Sequence, residues 1–532
     1  MTVKDTLLLF NGVFHTMEAR APLAHAVAIR HGRFLHVGEE PGARAALAGG
    51  GGVQEVDLGG RCVLPGLTDS HLHFMWYAQS LHGVDAETPT LAQALERVQA
   101  RAREAVAGTW ITGSGWNHNV WGDGALPDRL SLDGAAARNP VALEAKNGHA
   151  LWVNSLALEK AGIGLDAADP PGGKIVHGGD GMPSGILLDN AMRLVQAVIP
   201  RPSPRELARM MLRAQEEAHR HGLTGIHDFD RTLAFEALQE MRAAGQLTLR
   251  VVKGIPHEML GQAIELGLRS GFGDDMLRLG PVKMFADGAL GSLTAWMLAP
   301  YEGTWSTGIP TVSEEELFHD ILRANQAGLA CAVHAIGDAA CHVVLNAYER
   351  AARSLPRAGA PRNRMEHAQL LHPEDIGRFA KLSVIASMQP LHATSDMIIA
   401  ERHWGSRCQT AYAWSSLLRA GARLAFGSDC PVEVADPLTG IHAAVTRRRA
   451  DGSPGPEGWR PAERLSVEQA VHGYTLGAAY AAGREEVLGS IAPGKLADLT
   501  VMERDIFAIP PQEILAAAVS ATMIGGEFVY RF

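Results

Sequence analysis

Apolar residues recur at two different periods along this chain. Over the first 65 positions they form short runs or alternate with polar neighbours, as in Leu7–Phe10, Ala26–Arg30, Arg33–Val37, Val53–Leu58 and Cys62–Leu64. Alternation at period two predicts strands, because successive side chains point to opposite faces. Gly49 to Gly52 interrupt these runs. They lack the Lys-Ser/Thr of a phosphate loop and the GxGxxG spacing that opens a helix, so they predict a hairpin connection. The far end has the same character: Val487–Ile491, Leu496–Val501 and, after Gly525 and Gly526, Glu527–Tyr530. Both ends are therefore expected to pair in one small β-sandwich domain, built from 1–65 plus 487–532.

Between them the pattern alternates. Helical periodicity over Pro204–His221, Glu314–Ala327 and Asp338–Ala352 is separated by short apolar strands. The strands are Gly225–Asp228, Leu249–Gly254, Val282–Asp287, Ala330–His334, Arg364–His367, Val384–Gln389 and Arg423–Asp429. With Val63–His73 they make about eight strand–helix units, which predicts an α/β fold and favours a closed parallel barrel over an open sheet. A distorted TIM (β/α)8 barrel is expected over 66–486. The stretch between His73 and Gly225 is too long for one crossover. It predicts an inserted subdomain after the first barrel strand, over 80–201, with Trp110–Trp116, Val141–Val153 and Gly173–Leu188 as its own strands and hairpins.

Composition narrows the function. With 48 basic and 58 acidic residues the net charge is −10, which excludes a nucleic-acid binder relying on a broad basic surface. The longest apolar candidate, Ile514–Ile524, falls short of the ~18 residues needed to span a bilayer. The first residues lack the apolar core and cleavage site of a signal peptide. Cys62, Cys331, Cys341, Cys408 and Cys430 show no CxxC spacing and fit a reducing compartment. A soluble, cytoplasmic protein without nucleic-acid or membrane partners is expected.

Candidate chemistry sits where barrel strands should end. His71 and His73 close the first strand, and residues at i and i+2 of a strand share a face. Lys283, His334, His367 and Asp429 occupy the ends of four further strands. Catalytic groups of such barrels come from C-terminal strand ends. Imidazoles and a carboxylate converging there are a donor set for zinc or a similar divalent ion.

Taken in order, several segments resemble the amidohydrolase superfamily, and within it the amidohydrolase-3 branch that includes N-substituted formamide deformylases. They are PGLTDSHLH (65–73), NGHALWVNS (147–155), VKMFADGALGSLTA (282–295), VHAIGDAA (333–340), RMEHAQ (364–369), SMQPLHATSD (387–396), GSDCPVE (427–433) and LGSIAPGKLADL (488–499). The resemblance covers nearly the full length. It implies that His71 and His73 hold a first metal and His334 and His367 a second. It also implies that Lys283 is carboxylated and bridges them, and that Asp429 both ligates the first metal and shuttles protons. The implied reaction is hydrolysis of a non-peptide amide C–N bond, as in N-substituted formamides or N-acyl amines, by a metal-bridged hydroxide. Two zinc ions are expected, other divalent metals being open, and homodimers are common among related enzymes.

His149, Asp287 and His392 are expected to contact substrate. His149 stands in a segment where related proteins usually have Asp-Gly-His, whereas this chain has Asn147 before Gly148. Trp116, together with Phe74, Met75, Trp76, Trp121 and Trp404, suggests an apolar or aromatic substrate moiety. Two other readings stay open: a mononuclear deaminase or cyclic-amide hydrolase with unmodified Lys283, and a non-catalytic metal-dependent binding or regulatory protein.

Overall fold

The structure is a computed structural model that describes residues 6–48, 52–118, 120–121, 126–146, 150–355 and 361–531. Its chain divides into two compact units, Met1–Phe74 with Ala214–Phe532, and Met75–Arg213.

The first unit is built on eight strands: β1 (Leu67–Leu72), β2 (Leu223–Asp228), β3 (Arg250–Pro256), β4 (Leu277–Phe285), β5 (Cys331–Ala335), β6 (Arg364–His367), β7 (Ile385–Met388) and β8 (Arg423–Phe426). They neighbour one another in chain order, and every pairing is parallel. Strands such as β2, β6 and β7 are buried at every position, as a parallel sheet covered on both faces requires. Helices cross between them; Glu314–Gln326, for example, is started by a capping box in which Ser313 and Glu316 bond each other's backbone amides. The sheet is nearly closed. Just past the ends of β8 and β1, the Asp429 amide donates to the His71 carbonyl (2.7 Å) and the His73 amide to the Cys430 carbonyl (2.8 Å).

Two further sheets in this unit use the chain's early and late strands. One runs Arg33–Gly38, Ala26–Arg30, Thr6–Phe10, Gln54–Asp57; the other runs Glu527–Arg531, Val519–Ile524, Leu499–Met502, Cys62–Pro65, Val13–His15, Leu23–Ala24. Leu9, Ile29 and Phe34 of the first share a core with Phe14, Val63, Val501 and Met523 of the second. The segments 1–65 and 487–532 fall in the same compact unit as the barrel. The chain passes from Cys62–Pro65 into β1 through Gly66, where a Cβ would stand 2.3 Å from the Thr224 hydroxyl, so only glycine lets the two strands approach.

The second unit, Met75–Arg213, carries a six-stranded sheet in the order Gly173–His177, Pro183–Asp189, Ala150–Val153, Val141–Ala145, Ile111–Trp116, Val84–Asp85. Leu91–Glu104, capped by the Thr90 side chain, turns Ala94 and Val98 into the core of this unit. Among the described residues, no helix is long and apolar enough to cross a membrane.

One buried ion pair ties the β3 start to the C-terminal strands. Arg250 Nε and Nη2 reach Asp498 Oδ2 and Oδ1 at 2.6 and 2.9 Å, and Asp498 Oδ1 also accepts the Gly525 amide at 2.8 Å. Removing one partner leaves the other charge buried and uncompensated. Arg250→Ala is expected to destabilise the fold by about 3–5 kcal/mol, read as a lowered chemical-denaturation midpoint; an unchanged midpoint would contradict this role.

Candidate metal centre

His71, Lys283, His334, His367 and Asp429 lie at the C-terminal ends of β1, β4, β5, β6 and β8 or just beyond, and His73 follows β1 directly. The strand alternation places both early histidines on one face. The Nε2 atoms of His71 and His73 each stand 3.4 Å from the same oxygen, Asp429 Oδ1. The His367 ring lies 4.9 Å from that of His71 and 4.5 Å from that of His334, centroid to centroid. His367 and Asp429 both adopt positive φ, 72° and 61°. These backbones are strained for residues with a side chain, a feature that concentrates at functional sites.

The outer hydrogen bonds fix which nitrogen faces inward. His71 Nδ1 meets Glu366 Oε2 at 2.6 Å, and a carboxylate only accepts, so Nδ1 carries the proton and Nε2 presents a lone pair. His334 Nε2 donates to the Gly288 carbonyl at 2.9 Å, which frees Nδ1. His367 Nδ1 meets Gln389 Oε1 at 2.8 Å, which frees Nε2. His73 Nδ1 lies 3.3 Å from Asp230 Oδ1. Buried lone pairs therefore face one another and the Asp429 carboxylate; His71 Nε2 is buried and has no hydrogen-bond partner. Acceptors facing acceptors in a low-dielectric pocket repel unless a cation lies between them. The residues present fit a divalent metal, with His71, His73 and Asp429 forming one donor group within 4.8 Å.

Electrostatics divide the histidines. Burial would lower His73, but the bonds to Asp230 and Asp429 outweigh it and hold it up at about 9, so an ion there displaces a proton. Burial and the nearby Lys283 charge push His71 down to about 4 and His334 to about 3, which keeps both imidazoles neutral, as ligands must be. Burial lowers Lys283 to about 8. Its Nζ sits over the rings of Phe229 and Phe285, 5.2 and 4.9 Å from their centroids.

Behind the ligands lies a charged network in the barrel interior. Arg364 and Glu366 are fully buried and paired. Arg364 also meets His227 Nδ1 at 2.8 Å and donates to the Ser70 carbonyl at 2.6 Å and Ser387 Oγ at 2.5 Å. Asp69 accepts the His71 amide and the Ser428 amide and hydroxyl, joining the β1 end to the turn that carries Asp429. Lys253 neutralises Asp228 at 3.1 Å and donates to the Asp230 carbonyl. None of these residues was singled out by sequence reasoning. Glu366 and Asp69 had a usable signal, a carboxylate within two residues of a ligand on a fully or almost fully buried strand.

The expected substrate contacts divide. His392 does reach the centre: its ring stacks on His367 at 6.0 Å, and its Nε2 lies 3.9 Å from Asp429 Oδ2. Asp287 lies at the edge of the centre, its Oδ1 3.5 Å from His334 Nε2. Its oxygens accept the amides of Ile336 (3.0 Å), Gly337 (2.8 Å) and Trp296 (2.9 Å), so it is committed to shaping loops. Trp116 is corrected. It is 1% exposed, packs against Trp121 and Trp152 in the core of the second unit, and donates its Nε1–H to the Leu143 carbonyl. Its size and ring polarity are used for packing there. His149 lies outside the described residues.

A family model described as "Amidohydrolase family" matches residues 54–530. The chain is 35% identical to the protein LONG AFTER FAR-RED 3 of Arabidopsis thaliana, covering 98% of this chain and 91% of that one. It is 30% identical to an N-substituted formamide deformylase of Arthrobacter pascens, covering 100% and 99%. An uncharacterised metal-dependent hydrolase from Pyrococcus furiosus superposes with a TM-score of 0.80 at 29% identity, over 94% of this chain and 100% of that one.

The carboxylate–histidine pair of Glu366 and His71 should set the basicity and orientation of a ligand. Glu366→Gln is expected to weaken metal affinity by about 10–100-fold, measured by chelator competition; unchanged affinity would remove Glu366 from the centre.

Proposed function

Because the chain belongs to the amidohydrolase family, we propose that it hydrolyses a non-peptide C–N bond, in an N-substituted formamide or a related N-acyl amine. The observation that carries this reading is the set of inward-facing imidazole lone pairs and one carboxylate at the barrel mouth. His71, His73 and Asp429 would hold one divalent ion, and His334 and His367 a second, with zinc well suited to these donors. Ions bound there supply Lewis acidity toward a carbonyl oxygen and acidify water.

The remaining chemistry belongs to the chain's own residues. Asp429 takes the proton of the attacking water and delivers it to the leaving amine nitrogen. His392 receives a hydrogen bond from Gln369 on Nδ1 (3.3 Å), so its Nε2–H is directed toward Asp429 and can steady the proton-bearing carboxyl. Lys283 is proposed to be carboxylated: neutral Nζ bonds to the carbon of CO2 and loses a proton, leaving two oxygens that share one negative charge in place of a cation. A lysine held near 8 by burial supplies more neutral amine at neutral pH than an ordinary one. Phe285, half exposed beside Lys283, offers an apolar wall for the substrate's substituent. The 30% identity to a deformylase over the whole chain supports a formyl or small acyl group. All five cysteines are free and buried, in keeping with a cytoplasmic location.

Two measurements test this. Asp429→Asn should lower turnover by about 10²–10⁴-fold while bound metal is largely retained; a fully active variant would refute the proton shuttle. Metal analysis with the native mass of the Lys283 peptide should give two ions per chain and a lysine heavier by one CO2. One ion with plain lysine would move the reading to a mononuclear deaminase or cyclic-amide hydrolase.

A further inference from the structure

A second group of unlike donors lies away from the barrel centre, among the terminal strands. His15 ends Val13–His15, Cys62 begins Cys62–Pro65, and Asp505 follows Leu499–Met502. These three strands are adjacent, with Val13 opposite Cys62 and Met502 opposite Cys62 in register. His15 lies two residues beyond Val13 and so shares its face. A ring nitrogen of His15, the sulfur of Cys62 and a carboxylate oxygen of Asp505 come within 4.8 Å of one another.

We propose that His15, Cys62 and Asp505 form a second, independent site for a single divalent transition metal of the zinc class. Imidazole, thiolate and carboxylate are the protein donors zinc takes, and three of them leave a fourth position for water. His15 Nε2 and Asp505 Oδ1 are 3.0 Å apart. That is close to the ~3.3 Å separating two donors that each sit about 2.0 Å from one tetrahedral ion. The pieces are already held in place. The His15 ring stacks on Phe507 at 3.9 Å, and Asp505 Oδ1 accepts the Phe507 amide at 3.0 Å. The Asp505 side chain is 27% exposed, which gives an ion a route from solvent, while Cys62 is 1% exposed. Burial and the Asp505 charge push the Cys62 thiol up, so it holds its proton without an ion. Binding exchanges that proton, released to solvent, for a sulfur–metal bond, and no electron changes hands. The ion would clamp three segments distant in sequence, so its effect is structural.

Cobalt(II) separates this site from the barrel centre. The six candidate ligands of the barrel include no sulfur, so cobalt there gives only ligand-field bands. Metal-depleted protein titrated with cobalt should develop a near-ultraviolet sulfur-to-cobalt charge-transfer band that saturates. Cys62→Ser should lose that band and keep the ligand-field bands of the barrel. Absence of the band at excess cobalt, or its persistence in Cys62→Ser, would overturn the proposal. Should Cys62→Ser fail to fold, Asp505→Asn, in the partly exposed loop after Leu499–Met502, should shift the charge-transfer titration to higher cobalt. An unshifted titration would overturn the assignment of Asp505 as a ligand. A His15–Asp505 ion pair with no bound metal predicts the bandless outcome.

Discussion

The barrel mouth is organised around one electrostatic constraint: buried acceptors aimed at one another. His71 and His73 direct nitrogens at the same Asp429 oxygen. His71 Nε2 has no donor to satisfy it. Such an arrangement is stable only if positive charge is supplied at its centre and the ligands cannot turn away. Much of the surrounding polar structure serves that second need. Glu366 pins His71, Gln389 pins His367 and the Gly288 carbonyl pins His334.

Pinning a ligand with a carboxylate buries another charge, and the network extends until each is matched. Arg364 lies beside Glu366 in the barrel interior, where a simpler barrel would place apolar side chains. Its remaining donors reach Ser70, Ser387 and His227 on three other strands. The same pattern recurs on the other side, where Lys253 balances Asp228 behind Asp230 and His73. Each such group would be costly alone, and together they make the ligand geometry rigid.

Barrel closure and site assembly are the same event. The backbone bonds that nearly close the sheet are made by His71, His73, Asp429 and Cys430; the first three are candidate ligands and the fourth adjoins one. Asp69 reinforces this seam by taking hydrogen bonds from both sides of it. The positive φ of Asp429 is the local cost of turning its carboxylate inward at that seam.

Local pattern was enough for the alternating strand–helix order and for the strand ends that carry His71, His73, Lys283, His334, His367 and Asp429. Side-chain periodicity and strand-end chemistry act over a few residues and can be read along the chain. The i, i+2 spacing of His71 and His73 at the end of a strand also pointed to a shared face, and both rings do reach the same Asp429 oxygen. What lay beyond reach was decided by pairings between distant segments. Glu366 meets His71 across 295 positions, and Arg250 meets Asp498 across 248. Asp287 and Trp116 had the right chemistry for substrate contacts, yet backbone amides and an aromatic core claimed them. The grouping of His15, Cys62 and Asp505 likewise emerges only when the terminal strands pair. Residue type sets what a side chain can bind, but its partner depends on which strands become neighbours, and only the folded chain decides that.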